Sequence, residues 1–409
     1  MKELIFRKEN FILLFFLAIY IFSVGSDPIL GDSLPFTVGA SKGYELESNA
    51  TNHFLYINFL ALVHKIIPFI NPHYLFSGIS VICSVLSLLI LRNILLLFNF
   101  SNIVCNVVTV LFGFSFTFWR ISIFTEVYSF YILFVTIFLY NVFSYIKEQR
   151  IDNLYGAAIF FGIMFLIHIQ TILLIPFYLY FLYKNLHEKS KTAIAVLIPI
   201  VFFSVLLIPV VLGRNNFIAI FTDNAWGSSF FSLELESILR SAVRNTGFLL
   251  YNFMFFIAFA FKGFKDLENK EYFFIGIIPY IFFILKHDVS DSYVFQLVPY
   301  LFLLIMIASG LSKLNDFKWM YIAVFSFPLV YFINYKIVEC TDVGKRIDRE
   351  TGFKGGTKYF FFPPLKGNPS IEEFISAYEK GQFKKLPVLE QENYKRMYLY
   401  AKEWRLIKT

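Results

Sequence analysis

The chain has 409 residues, of which 57% are hydrophobic and only 16% charged, whereas a soluble domain carries about 25% charged residues. So few charges cannot cover a water-facing surface, which excludes an ordinary soluble enzyme and makes lipid the main solvent. The net charge of +7 reads as membrane topology and contact with anionic headgroups. No Gly-rich phosphate loop and no nucleic-acid motif is present, so no nucleic acid is expected as a partner. Runs of Phe, Ile and Leu without polar alternation speak against a β-barrel. The fold expected is therefore all-α, integral to the membrane and multi-pass.

The N-terminal stretch MKELIFRKENFILLFFLAIYIFSVGS has a charged start, an apolar middle and small residues at its end. That form suits a cleaved signal peptide or an uncleaved first span. The second is preferred because many apolar runs follow. Spans are expected near 10–25, 74–98, 103–118, 127–146, 153–167, 170–183, 192–213, 247–261, 272–285, 294–311 and 317–335, a bundle of about 11 helices. Segment 54–70 is apolar but carries His64, Lys65 and Pro68, so it reads as a helix lying in the interface. With the N-terminus cytoplasmic, inner connectors such as 147–150, 184–191 and 262–270 hold more Lys and Arg than the outer ones, as the positive-inside rule requires. This map gives a transmembrane unit over 1–335 with a large first outer loop at 26–73. Residues 336–409 then form a small extracytoplasmic tail of mixed helix and loop. Cys83, Cys105 and Cys340 make no disulfide framework and no metal motif.

The outer face of this map collects the unusual polar residues. VGSDPILGDSLPF, residues 24–36, places Asp27 and Asp32 where the first span ends. FWRISIFTEVYSFY, 118–131, places Arg120 at the end of one span and Glu126 at the start of the next. Either the two face a cavity at the interface, or they are a surface ion pair within an aromatic belt. His168, in FLIHIQTILLIP, is a site residue or a hydrogen-bonded packing residue, with Gln170 and Thr171 beside it. Arg240 and Arg244 are spaced i,i+4 and so share a helix face. Two guanidinium forks suit a phosphate, and interfacial snorkelling is the alternative. His287, Asp288 and Asp291, before a later span, read as a solvated turn. No HxxxH or HExxH spacing occurs, so no metal cluster is expected.

Five stretches together resemble the protein O-mannosyltransferase-like family of multispanning membrane proteins, within the GT-C class of glycosyltransferases. They are GDSLPF (31–36), NHFLYINFL (52–60), GFSFTFWRISIFTEVYSFYILF (113–134), GIMFLIHIQTILLIP (162–176) and DSYVFQLVPYLFLLIMIASGL (291–311). The resemblance covers residues 1–311 or so. It implies a GT-C-like bundle, a lipid-linked sugar donor and an acidic catalytic residue in the first outer loop, which Asp32 matches. His53, Glu126 and His168 match further blocks. Two positions depart from the family pattern. Pro35 stands where a second acid is common, and Asn52-His53-Phe54-Leu55 replaces a His-Pro-Pro-Gly stretch. The implied activity is inverting transfer of a sugar, mannose or another hexose, from a polyprenyl-phosphate carrier to a hydroxyl of a protein Ser/Thr, a glycan or a lipid. Asp32 would be the general base, with His53, Arg120, Glu126, His168, Arg240 and Arg244 around the substrates. The expected partners are membrane lipid, the lipid-linked donor and the extracytoplasmic acceptor, with no cofactor required. The rival reading is a transporter or flippase for a lipid-linked or anionic solute. It fits less well, because the polar groups gather on one face and no repeat is visible.

Overall fold

The computed structural model describes residues 11–46, 53–185, 188–214, 216–220, 234–287, 289, 292–314, 318–384 and 386–408. Among them every regular element is helical: α1 (Phe11–Ser23), α2 (Ser33–Lys42), α3 (Phe54–Ile66), α4 (Pro72–Leu97), α5 (Asn102–Phe114), α6 (Phe116–Ser122), α7 (Val127–Glu148), α8 (Ile151–Ile167), α9 (Ile175–Asn185), α10 (Lys189–Ser204), α11 (Ile208–Val211), α12 (Leu235–Phe253), α13 (Ile257–Phe264), α14 (Lys270–Lys286), α15 (Leu297–Leu311), α16 (Lys318–Phe325), α17 (Phe327–Glu339), α18 (Asp342–Thr351), α19 (Gly356–Phe361), α20 (Ile371–Glu379) and α21 (Val388–Lys408). Asp288 and Asp291, read from the sequence as part of a solvated turn, lie outside the described residues.

Among the described residues five helical stretches are long and apolar enough to cross a bilayer: Pro72–Leu97, Val127–Glu148, Lys189–Val211, Leu235–Phe264 and Ser292–Leu311. Counting each of two bent pairs as one span gives up to 7. Sequence runs near 10–25, 54–70 and 153–167 appear as shorter apolar helices, Phe11–Ser23, Phe54–Ile66 and Ile151–Ile167. α3 is bounded at both ends and rises only about 20 Å, short of the roughly 30 Å hydrocarbon core.

Two breaks shape the polar end of the bundle. At Ser115 the chain turns by 67° between α5 and α6. A break at this depth exposes backbone groups that need partners. Asn252 supplies one: its Oδ1 accepts from the Thr117 amide at 2.8 Å, and its Nδ2 donates to the Thr117 hydroxyl at 3.0 Å. The second break follows α8. His168 has extended backbone, and the chain restarts as a 3₁₀ turn over Ile169–Leu174 before α9. Here the His168 ring accepts from the Gln170 amide at 3.1 Å, and the Thr171 hydroxyl donates to the His168 carbonyl at 2.8 Å.

α13 and α15 meet through small residues. A Cβ on Gly263 would lie 2.0 Å from the Met306 carbonyl oxygen, and one on Gly310 would lie 2.1 Å from that of Phe259. Backbones this close recover dispersion contact where lipid offers no hydrophobic gain between helices.

The tail builds a second core on the first loop. Leu30, Leu34 and Val38 pack with Ile371, Phe374, Ile375, Ala401 and Trp404. α20 starts with a capping box. The Ser370 hydroxyl accepts from the Glu373 amide, and the Glu373 carboxylate accepts from the Ser370 amide. Asp27 is 7% exposed and accepts from Trp404 Nε1 at 3.1 Å and Lys408 Nζ at 2.7 Å. It lies in a bend after α1, and its carboxylate holds the last helix.

Gly310→Val is expected to overpack α13 against α15. It should lower stability by about 1–3 kcal/mol or more, read as a drop in thermal midpoint in detergent. Trp404→Ala should cost about 3–5 kcal/mol of tail packing and make residues 370–408 sensitive to limited proteolysis.

Candidate functional site

Asp32 stands at the N-terminal end of α2 and is exposed. Its side chain makes no capping hydrogen bond to the helix. Pro35 falls in the first turn, where a missing N–H costs nothing. One turn further, Phe36 packs edge-on to His53 with ring centroids 5.4 Å apart, and to Tyr56 at 5.5 Å. The helix that begins with Asp32 therefore leads directly to His53.

His53 precedes α3 with φ 47°, a left-handed conformation that His tolerates better than most residues. Its ring lies against that of His168, with centroids 4.7 Å apart. The two imidazoles have opposite hydrogen-bond roles. His53 Nδ1 faces the Ile167 carbonyl at 3.2 Å and must donate, which leaves Nε2 as an acceptor. His168 Nδ1 accepts from the Gln170 amide, which leaves the proton on Nε2. The pair thus holds one accepting and one donating nitrogen. Burial pushes the His53 ring down to about 4, so it is neutral near pH 7. Tyr128 and Tyr131 close the other side of His168, at 5.2 and 5.5 Å between ring centroids.

Glu126 is 8% exposed and caps α7, accepting from the Val127 amide at 3.1 Å. It stands two residues before Tyr128, whose ring meets His168. Arg120 is 2% exposed. It forms no ion pair with Glu126. Its Nη2 donates to the carbonyls of Tyr359 and Phe362, the latter at 2.8 Å, and its guanidinium lies over the Tyr359 ring at 4.8 Å. The tail therefore covers the cation that the sequence associates with an open interface.

Arg240 and Arg244 both lie on α12, one turn apart. Arg240 is exposed, with Glu236 at 3.8 Å. Arg244 is partly buried and donates to the Val289 carbonyl at 2.6 Å. His287 is not in a solvated turn. It is 2% exposed and stacks on Phe283, with Phe295 at 5.5 Å. Phe295 in turn meets Tyr128, so this histidine extends the aromatic wall behind His168.

Sequence reasoning passed over a buried amide network next to these arginines. Gln296 donates to the Asn245 side chain at 2.6 Å, Tyr300 donates to Gln296, and Asn252 reaches Tyr300 at 3.3 Å. Isolated Asn and Gln inside apolar runs were the available signal, since such groups hydrogen-bond across helices. Among the described residues no group of three His, Cys, Asp or Glu is placed to hold a metal ion.

The chain shares its fold with ArnT from Cupriavidus metallidurans, with 97% of this chain matching 75% of that one at 11% identity. The TM-score is 0.58 against the apo structure and 0.56 against the structure bound to undecaprenyl phosphate. The S. cerevisiae protein O-mannosyltransferase Pmt1-Pmt2 complex bound to the sugar donor is similar over 59% of this chain, at 15% identity and a TM-score of 0.40. Only 38% of that chain is covered. No family model and no curated protein sequence matches.

His53 loses stability in acid by a defined route. Its folded value is depressed below the ordinary 6.5, so the unfolded chain binds the proton first as pH falls. The thermal midpoint should fall between pH 6.5 and 4, and His53→Asn, which also tolerates the left-handed backbone, should flatten that slope.

Proposed function

We propose that this protein is a membrane glycosyltransferase that moves a sugar from a polyprenyl-phosphate carrier to a hydroxyl acceptor, inverting the anomeric centre. The reading is supported chiefly by the match of 97% of the chain to a fold also solved with undecaprenyl phosphate bound. An exposed acid at the start of the first-loop helix adds to it. In this reading residues 1–335 are the transferase proper and 336–409 its tail. The N-terminus is cytoplasmic, and the polar face with the tail is extracytoplasmic.

The chemistry balances without a cofactor. The Asp32 carboxylate takes the proton of the acceptor hydroxyl as that oxygen attacks the anomeric carbon. The bond from this carbon to the phosphate oxygen breaks, and its electron pair leaves with the carrier phosphate. A base so placed contributes about 10²–10⁴-fold. Arg240 and Arg244 stabilise charge developing on the phosphate. Arg120 joins them when the tail carbonyls release it. The accepting edge of His53 and the donating edge of His168 fit neighbouring sugar hydroxyls, with Glu126 completing the polar wall. A hexose, and mannose first, is the donor sugar to try.

The test uses purified protein, a polyprenyl-phosphate hexose and hydroxyl acceptors. Wild type should give a glycosylated product of inverted configuration. Asp32→Asn should lower kcat about 10²–10⁴-fold with an unchanged thermal midpoint. Full transfer by Asp32→Asn would remove the base from Asp32. Solute movement across sealed vesicles without covalent product would replace transfer with transport.

A further inference from the structure

A cavity of about 390 Å³ lies between the end of α1, the start of α4 and the tail loop after α19. Ile21, Val24, Tyr74, Gly78 and Val81 make its apolar wall, and Ser26 with Lys366 its polar rim. It shares no lining residue with the Asp32 and His53–His168 region. Ile21 and Tyr74 are 55% and 53% exposed, so the apolar wall opens sideways out of the bundle, where lipid chains run.

The rim is cationic and uncompensated. Lys366 is exposed and has no carboxylate partner among the described residues. Lys358 donates from Nζ to the Lys366 carbonyl, which sets its ammonium 3.4 Å from where a Gly367 Cβ would stand. It too has no ion pair among the described residues. Burial, and then the charge of Arg120, hold the Lys358 ammonium below the usual lysine range. The nearby carboxylate of Asp27 is engaged by Lys408 and does not offset them.

We propose that this cavity is an accessory site for one anionic glycerophospholipid of the surrounding membrane. A hydrocarbon chain fills the wall of Ile21, Val24, Gly78 and Val81. The phosphate sits at the rim against Lys366 and Lys358. Bilayer lipid is the occupant the geometry favours, because the groove opens sideways toward it and stands apart from the catalytic region. Basic pockets beside membrane helices take lipid phosphates by the same combination of apolar contact and charge. The bound lipid joins α1 and α4 to the tail that covers Arg120.

Gly78 offers a clean probe, because a Cβ there meets nothing within 4 Å. Gly78→Phe fills the groove from a position that tolerates a side chain, and Lys358→Gln with Lys366→Gln removes the charge. Full-length protein is exchanged into nanodiscs of phosphatidylcholine with phosphatidylglycerol, then extracted, and bound lipid is read by native mass spectrometry. The wild type should retain one phosphatidylglycerol in preference to phosphatidylcholine. Each variant should reduce that retention at least fivefold while keeping its thermal midpoint. Equal retention of the two lipids, or unchanged retention in both variants, overturns the proposal. Preferential displacement by added polyprenyl phosphate overturns the assigned occupant and makes the groove part of the donor path. Sugar transfer measured on the same samples separates this inference from the transferase reading, since either can fail while the other stands.

Discussion

The buried carboxylate of Asp27 is the contact on which the polar face depends. It takes hydrogen bonds from Trp404 and Lys408 and so ties the last helix to the loop after the first. Around it, Leu30, Leu34 and Val38 find apolar cover that a short loop helix could not make for itself. α2 is fixed as a result, and with it the direction in which Asp32 is presented. A carboxylate left in that place without partners would carry a large desolvation penalty, so loop and tail are stable only together.

The second organising constraint is backbone satisfaction. The chain breaks its helices at Ser115 and at His168, and both breaks are closed by side chains from the polar set. His168 is therefore a packing residue and a candidate site residue at once. The bond that seals the break also fixes which nitrogen keeps the proton. Asn252 does the same for α6, and through Tyr300 and Gln296 it connects that break to Asn245, the neighbour of Arg244.

How far the sequence is legible follows from what each feature requires. The helical membrane class shows in composition, because lipid-facing helices need long apolar runs. The contact of His53 with His168 was within reach, since both residues stand at the ends of apolar stretches and in matching family blocks. Arg240 and Arg244 share a helix as their spacing requires. Three things escaped. The pairing of the tail with the first loop is not legible, because Asp27 and Trp404 are 377 residues apart and no local pattern signals it. Arg120 looked open because backbone carbonyls, its actual partners, carry no sequence signature. His287 read as solvated from the charges around it, whereas its ring is held by Phe283, four residues before it on the same helix face, and by Phe295.

The span between Asp27 and Lys408 also sets an order of assembly. Contacts so distant in sequence form late, because the entropy of closing the intervening chain must be overcome first. The apolar residues of the first loop and its buried acid have no partners until the helix at 388–408 has been made. During that interval Leu34 and Val38 of α2 lack the apolar cover the tail gives them. The contact between the first loop and the tail is therefore among the last to form.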